Sequence, residues 1–186
     1  HEGIKVTYHG NSEIPAAIEN FVHGKLQGER IILNRNGYIV KTENYKDNLL
    51  HGKVIRYKQG GVVLLREHYQ NGLLHGKREK FYAEKKLQES GEYVNGSKHG
   101  RYTWYYSDGT VNTEYVYDHG LQDGEQKTFH SGGELETFVW AYQGKNEGDF
   151  TRYFANGKIK ETGEYKDGLK EGKWLTYNEA GKVISA

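Results

Sequence analysis

The sequence predicts an all-β chain, an elongated single-layer antiparallel meander of about eight 24-residue β-hairpin repeats. Three observations lead there. Gly28, Gly52, Gly76, Gly100, Gly124, Gly148 and Gly172 recur at steps of 24 residues, with Gly3 one unit earlier at a step of 25. The segments between glycine-containing turns are 8 to 10 residues long and rich in Tyr, Val, Ile, Thr and Phe, the residues that favour strands. No segment keeps a helical period.

Let each recurring glycine be position 0. Position +9 is then Gly37, Gly61, Gly109, Gly133, Gly157 and Gly181, with Ser12 and Lys85 in the other two units. Position −4 is Gly24, Gly72, Gly96, Gly120, Gly144 and Gly168, with Asn48 in the remaining unit. These columns hold 20 of the 25 glycines, so glycine here is punctuation rather than a sign of disorder. The repeats fill residues 1–186 as one continuous domain.

The first turn of each unit follows from its side chains. Tyr8, Leu33, Tyr57, Phe81, Tyr105, Phe129, Tyr153 and Tyr177 occupy position +5, and an aliphatic residue occupies +11 in every unit, from Ile14 to Val183. A three-residue loop such as Ala155-Asn156-Gly157 pairs +5 with +11. It places the glycine in the left-handed region after a type I turn. Lys85 is expected to strain the equivalent turn. The second turn, such as Lys166-Asp167-Gly168, is expected to have the same chemistry, and Asn48 suits it because Asn tolerates positive φ. The position-0 glycines fall within strands and mark bulges or bends. Tyr45, Tyr69, Tyr93, Tyr117 and Tyr165 at +17 are expected to extend the +5 and +11 spine. Pro15 and the extra residue mark an irregular first unit.

Composition limits the chemistry. There is no Cys, so no disulfide, thiolate metal site or cysteine nucleophile exists. Lys and Arg number 26 against 25 Asp and Glu, a balance that argues against nucleic-acid binding. No apolar run is long enough for a membrane-spanning helix. The chain starts at His1 and holds no Met, which reads as a processed or trimmed product. Motifs of nucleophilic hydrolases, phosphate loops and HExxH metal sites are absent. Glu134 and Glu136 read as a solvated pair. His51, His75 and His99 recur at position −1, but equivalent residues on alternate strands lie about 9.6 Å apart, too far to share one metal ion. His9, His23, His68, His119 and His130 show no ligand spacing. The expectation is a non-enzyme with no cofactor and no metal.

The segment YFANGKIKETGEYKDGLKEGKWLTYNEAG, residues 153–181, resembles the bacterial variant of the MORN repeat, and the array is similar to the YwqK-like antitoxin family. The resemblance covers nearly the whole chain. It implies a protein-binding repeat module of antitoxin or immunity type, bacterial and exported, periplasmic or at the cell surface rather than cytoplasmic. Eukaryotic MORN repeats, a less close likeness, imply membrane, phosphoinositide and scaffold roles.

Candidate contacts come from residues the ruler leaves free. Even positions of the first strands are expected to share the face opposite the spine. There Arg30, Arg56, Lys58, Arg78 and Lys80 form a basic stripe for an acidic protein or anionic lipid headgroups. Tyr82, Tyr102, Trp104, Tyr106, Phe150, Phe154 and Trp174, with Phe138 and Trp140 from second strands, form an aromatic patch of the kind that binding hot spots favour. Another protein is the expected partner. The two open sheet edges offer edge-to-edge self-association and a scaffold role.

Overall fold

The computed structural model describes residues 2–83 and 85–186. It is all-β: eighteen strands in an antiparallel meander, with no helix among the described residues. The strands are β1 (Gly3–Tyr8), β2 (Pro15–Val22), β3 (Lys25–Leu26), β4 (Gly28–Leu33), β5 (Ile39–Lys46), β6 (Leu49–Tyr57), β7 (Val63–Gln70), β8 (Leu73–Leu74) and β9 (Gly76–Ala83). They continue with β10 (Lys86–Val94), β11 (Ser97–Tyr105), β12 (Val111–Asp118), β13 (Leu121–Phe129), β14 (Leu135–Tyr142) and β15 (Lys145–Tyr153). The last three are β16 (Ile159–Lys166), β17 (Leu169–Tyr177) and β18 (Val183–Ser185). Two compact units form: unit 1 is His1–Leu87 with Glu92–Ser97, and unit 2 is Gln88–Gly91 with Lys98–Ala186.

The first turn has the expected register. Leu33 stands opposite Ile39, Tyr57 opposite Val63, Tyr105 opposite Val111, Phe129 opposite Leu135 and Tyr153 opposite Ile159. In the loop before Ile159, the Gly157 N–H donates to the Phe154 carbonyl at 2.9 Å, and Gly157 has φ 78°. Lys85, without glycine's freedom, is held at φ 70°. The first unit differs. Its extra residue enlarges the loop, so Tyr8 pairs with Pro15 and not with Ile14.

The second turn departs from the expectation. Lys166 pairs with Leu169, leaving a two-residue loop of Asp167 (φ 52°) and Gly168 (φ 82°). Positive φ at both central residues defines a type I′ turn, whose twist matches the flanking strands better than a three-residue loop requires. Asn48 takes the second position at φ 71°. Each such turn docks on its own repeat: the N–H of Gly72, Gly120 and Gly168 donates to the carbonyl of Leu50, Lys98 and Asn146, at 2.8 to 2.9 Å.

The expected spine is also corrected. The pairing shifts by one residue between Ile32 and Leu33, between Trp104 and Tyr105, and between Arg152 and Tyr153. The unpaired extra residue is position +12, a bulge on the second strand. Because side chains alternate, one extra residue exchanges the faces of everything beyond it. Tyr45, Tyr117 and Tyr165 therefore stand opposite Gly28, Gly100 and Gly148. The +17 tyrosines share a face with positions +2 and +15, while +5 and +11 share the other. The position-0 glycines are bulged as expected, all with positive φ. Gly124 also lacks room, since a Cβ there would stand 3.1 Å from Val116.

The core of each unit is a cross-strand row of +2 and +15 residues, flanked by +17. In unit 1 that row is largely ionic. Lys5 stands opposite Glu19, Arg30 opposite Glu43, and Val54 between Glu43 and Glu67. Val54 is 2% exposed and Glu43 4%. In unit 2 the row is largely apolar: Tyr102 faces Tyr115, Gln126 faces Val139, and Phe150 faces Gly163. Gly91 and Gly163 lack a Cβ where the rings of Tyr102 and Trp174 lie. Thr42, Phe81 and Thr103, on the opposite faces of their units, are buried too, so both faces share in the packing.

Candidate functional site

The basic stripe divides into two kinds of cation. Arg30 is a +2 residue, and its guanidinium lies between two carboxylates, 2.9 Å from Glu19 and 3.3 Å from Glu43. Arg78, its equivalent two repeats later, lies 3.3 Å from Glu67. Lys41 pairs with Glu43, and the Tyr45 hydroxyl donates to Glu43 at 3.0 Å. Burial alone would push the Glu43 carboxyl up. The hydrogen bond and charge of Lys41, the Tyr45 hydroxyl and the charge of Arg30 outweigh it and hold the group below its ordinary value. Glu43 is thus anionic at neutral pH and cancels much of the charge beside it. Arg56, Lys58 and Lys80 point to solvent and are exposed.

The aromatic set is also divided, and the bulge divides it. Tyr102 and Trp104 stack with centroids 4.7 Å apart, and Trp104 meets Tyr115 edge-on at 5.7 Å. Lys98 Nζ covers this cluster, 4.2 Å from the Tyr102 ring centre and 4.8 Å from those of Trp104 and Tyr117. Further along the same unit, Trp174 lies 5.2 Å from Phe150 and 5.0 Å from Tyr165, with Lys170 Nζ 3.7 Å from its ring centre. These ammonium-capped rings hold one face of unit 2 together. Tyr102 is only 1% exposed, which places it inside the fold rather than on a contact surface. The Tyr106 hydroxyl donates to the Phe129 carbonyl at 2.8 Å and so ties consecutive repeats. Phe154 is half-buried beside Lys160.

Phe138 and Trp140 lie on the opposite face of unit 2, because they follow the +12 bulge. Phe138 stands opposite Lys127 and Trp140 opposite Glu125. Trp140 is 50% exposed, Tyr142 62% and Leu121 52%. Tyr142 follows Trp140 by two residues on β14, and Leu121 opens the neighbouring β13. The Leu121 Cδ2 lies 3.6 Å from where a Cβ on Gly144 would stand, beside the turn that Tyr142 enters. Trp140 and Tyr142 are thus exposed aromatic neighbours on one face of β14 in unit 2, with exposed Leu121 near the turn that follows them. Only Trp140 belongs to the residues chosen from the sequence. Leu at −3 recurs as Leu49, Leu73, Leu121 and Leu169, a periodic signal that the sequence reading did not use. Tyr at +18 does not recur, and its face depends on the strand register. Tyr82, in unit 1, is 41% exposed.

The sequence reading also missed a polar cluster. His99, Asp118 and His119 bring one ligand atom each within 4.8 Å of one another. The signal lies in the pairing of Gly100 with Tyr117, which sets His99 opposite Asp118. The carboxylates Glu134 and Glu136 do not form a catalytic pair: Glu136 Oε1 is 2.7 Å from Arg152 Nη2 and Glu134 is exposed.

Three segments match the MORN repeat variant: residues 74–95, 98–119 and 146–167. Each runs from position −2 to position +19, so all three lie on the same 24-residue ruler. The segments 98–119 and 146–167 each span a bulged first strand, a three-residue turn and a second strand, and end at the type I′ turn. No curated protein matches the chain.

Proposed function

We propose that the chain is a non-enzymatic protein-binding repeat module whose contact face in unit 2 centres on Trp140, Tyr142 and Leu121. The observation that carries this reading is the half exposure of Trp140 beside two other exposed apolar side chains, while Trp104 and Trp174 are occupied in internal stacks. A large ring on a rigid strand loses little conformational freedom on binding, and Trp and Tyr dominate binding hot spots. The matched MORN-variant repeats support a binding scaffold. The finer reading is occlusion of a partner surface, as an antitoxin or immunity-type protein of a bacterium acts.

The ionic pairing of Arg30 and Arg78 favours a protein partner over a lipid surface, because it leaves Arg56, Lys58 and Lys80 as the exposed part of the stripe. Co-expression with the products of neighbouring genes tests the occlusion reading. One neighbour is expected to be toxic alone and rescued by this chain, and Trp140→Ala is expected to lose the rescue. A chain that rescues none of them counts against occlusion. Salt-sensitive flotation with anionic vesicles would favour the lipid surface instead.

A further inference from the structure

We propose that His99, Asp118 and His119 form a surface site for a divalent transition metal ion of the zinc type. The Nδ1 atoms of His99 and His119 lie 3.2 and 2.8 Å from Asp118 Oδ1. A tetrahedral zinc site with bonds of about 2.0–2.1 Å separates its ligand atoms by about 3.3 Å. The two nitrogen-to-oxygen separations are close to that spacing, and all three ligand atoms lie within 4.8 Å of one another. The three side chains are exposed or half-exposed. Two imidazoles and one carboxylate suit zinc, and solvent access leaves a fourth position for water.

The fold explains why these residues meet. The Gly120 N–H donates to the Lys98 carbonyl at 2.8 Å, which holds the turn carrying His119 against the residue before His99. The same docking recurs in other repeats, and there the −1 side chain caps the turn. Gln27 accepts from the Asp47 N–H at 2.9 Å, Glu147 from the Asp167 N–H at 2.8 Å, and Asp123 from the Gln143 N–H at 3.3 Å. The repeat anchored at Gly100 combines His at −1, Asp at +18 and His at +19. In place of that combination, the next repeat has Asp123, Tyr142 and Gln143, and the one after it Glu147, Lys166 and Asp167. A repeat frame that works elsewhere with one capping group carries three metal-ligand types here. Asp118 is held below its ordinary value, first by the hydrogen bond with His119 and further by His99, which marks how closely the three side chains approach.

Zinc competition against a chromophoric chelator, with cobalt absorption as a spectroscopic probe, tests the site on the full chain. One equivalent is expected to bind at pH 7.5. Asp118→Asn, His99→Gln and His119→Gln should each weaken it by at least ~10-fold. Melting temperatures of the metal-free variants should match that of the parent. On the unsubstituted chain, zinc should shift the ring resonances of His99 and His119 while those of His68 and His130 stay in place. Unchanged affinity in Asp118→Asn and His119→Gln, or zinc-induced shifts at other histidines only, would overturn the proposal.

Discussion

The ring of Tyr102 occupies the space that a Cβ on Gly91 would fill. Gly91 has no positive φ, so this glycine is required by volume and not by backbone conformation. Gly91→Ala is expected to destabilise the chain by about 1–3 kcal/mol through overpacking, measured by urea unfolding. Gly91→Ala combined with Tyr102→Ala should cost less than the sum of the single changes, because the clash disappears with the ring.

The turn glycines make the opposite case. A Cβ on Gly157 would meet nothing within 4 Å, yet its φ is 78°. Gly157→Val should therefore cost at least ~1 kcal/mol from the backbone alone. Lys85, at φ 70°, is the converse. Lys85→Gly should be neutral or stabilising by up to about 1 kcal/mol, read as a shift in the urea midpoint without a change in slope.

The ionic row of unit 1 gives a pH dependence with a definite sign. The folded Glu43 carboxyl titrates below its ordinary value of 4.5, and Glu79, paired with Lys77 and Arg66, does too. Groups with a depressed folded pKa contribute stability that is fully present above the unfolded value and is lost as pH falls through the folded one. Stability should therefore decline below about pH 4.5. Glu43→Gln should cost about 1–3 kcal/mol at pH 7, since it leaves Arg30 and Lys41 short of a charged acceptor, and its decline in acid should be shallower than the parent's.

The two tryptophan environments differ in what they contribute to stability. Trp140→Ala should change stability by no more than about 0.5 kcal/mol, as expected of an exposed site. Trp174→Ala should cost about 3 kcal/mol, because it removes the stack with Phe150 and Tyr165 and the ring under Lys170. Thermal melts of both variants decide the point.

The glycine ruler made the strand count per repeat, the +5 to +11 pairing and the position-0 bulges legible in the sequence, because each rests on local backbone chemistry. The face of Tyr45, Tyr117 and Tyr165 was not legible. It depends on the +12 bulge, where residues as different as Val40, Asn112 and Lys160 stand and no glycine marks the extra residue. That one shift moved Phe138 and Trp140 away from the aromatic residues expected beside them. The same dependence on register hid the approach of His119 to His99, 20 residues apart, and the ion pairs that neutralise Arg30 and Arg78.

The division of the aromatic residues between an internal stack and an exposed face can be read directly from three single-tryptophan variants. Each keeps one of Trp104, Trp140 and Trp174, with the other two replaced by Phe, and acrylamide quenching is measured for each. Trp140 should be quenched most strongly, with Trp104 and Trp174 shielded under Lys98 and Lys170. Quenching of Trp174 or Trp104 as strong as that of Trp140 would contradict the account.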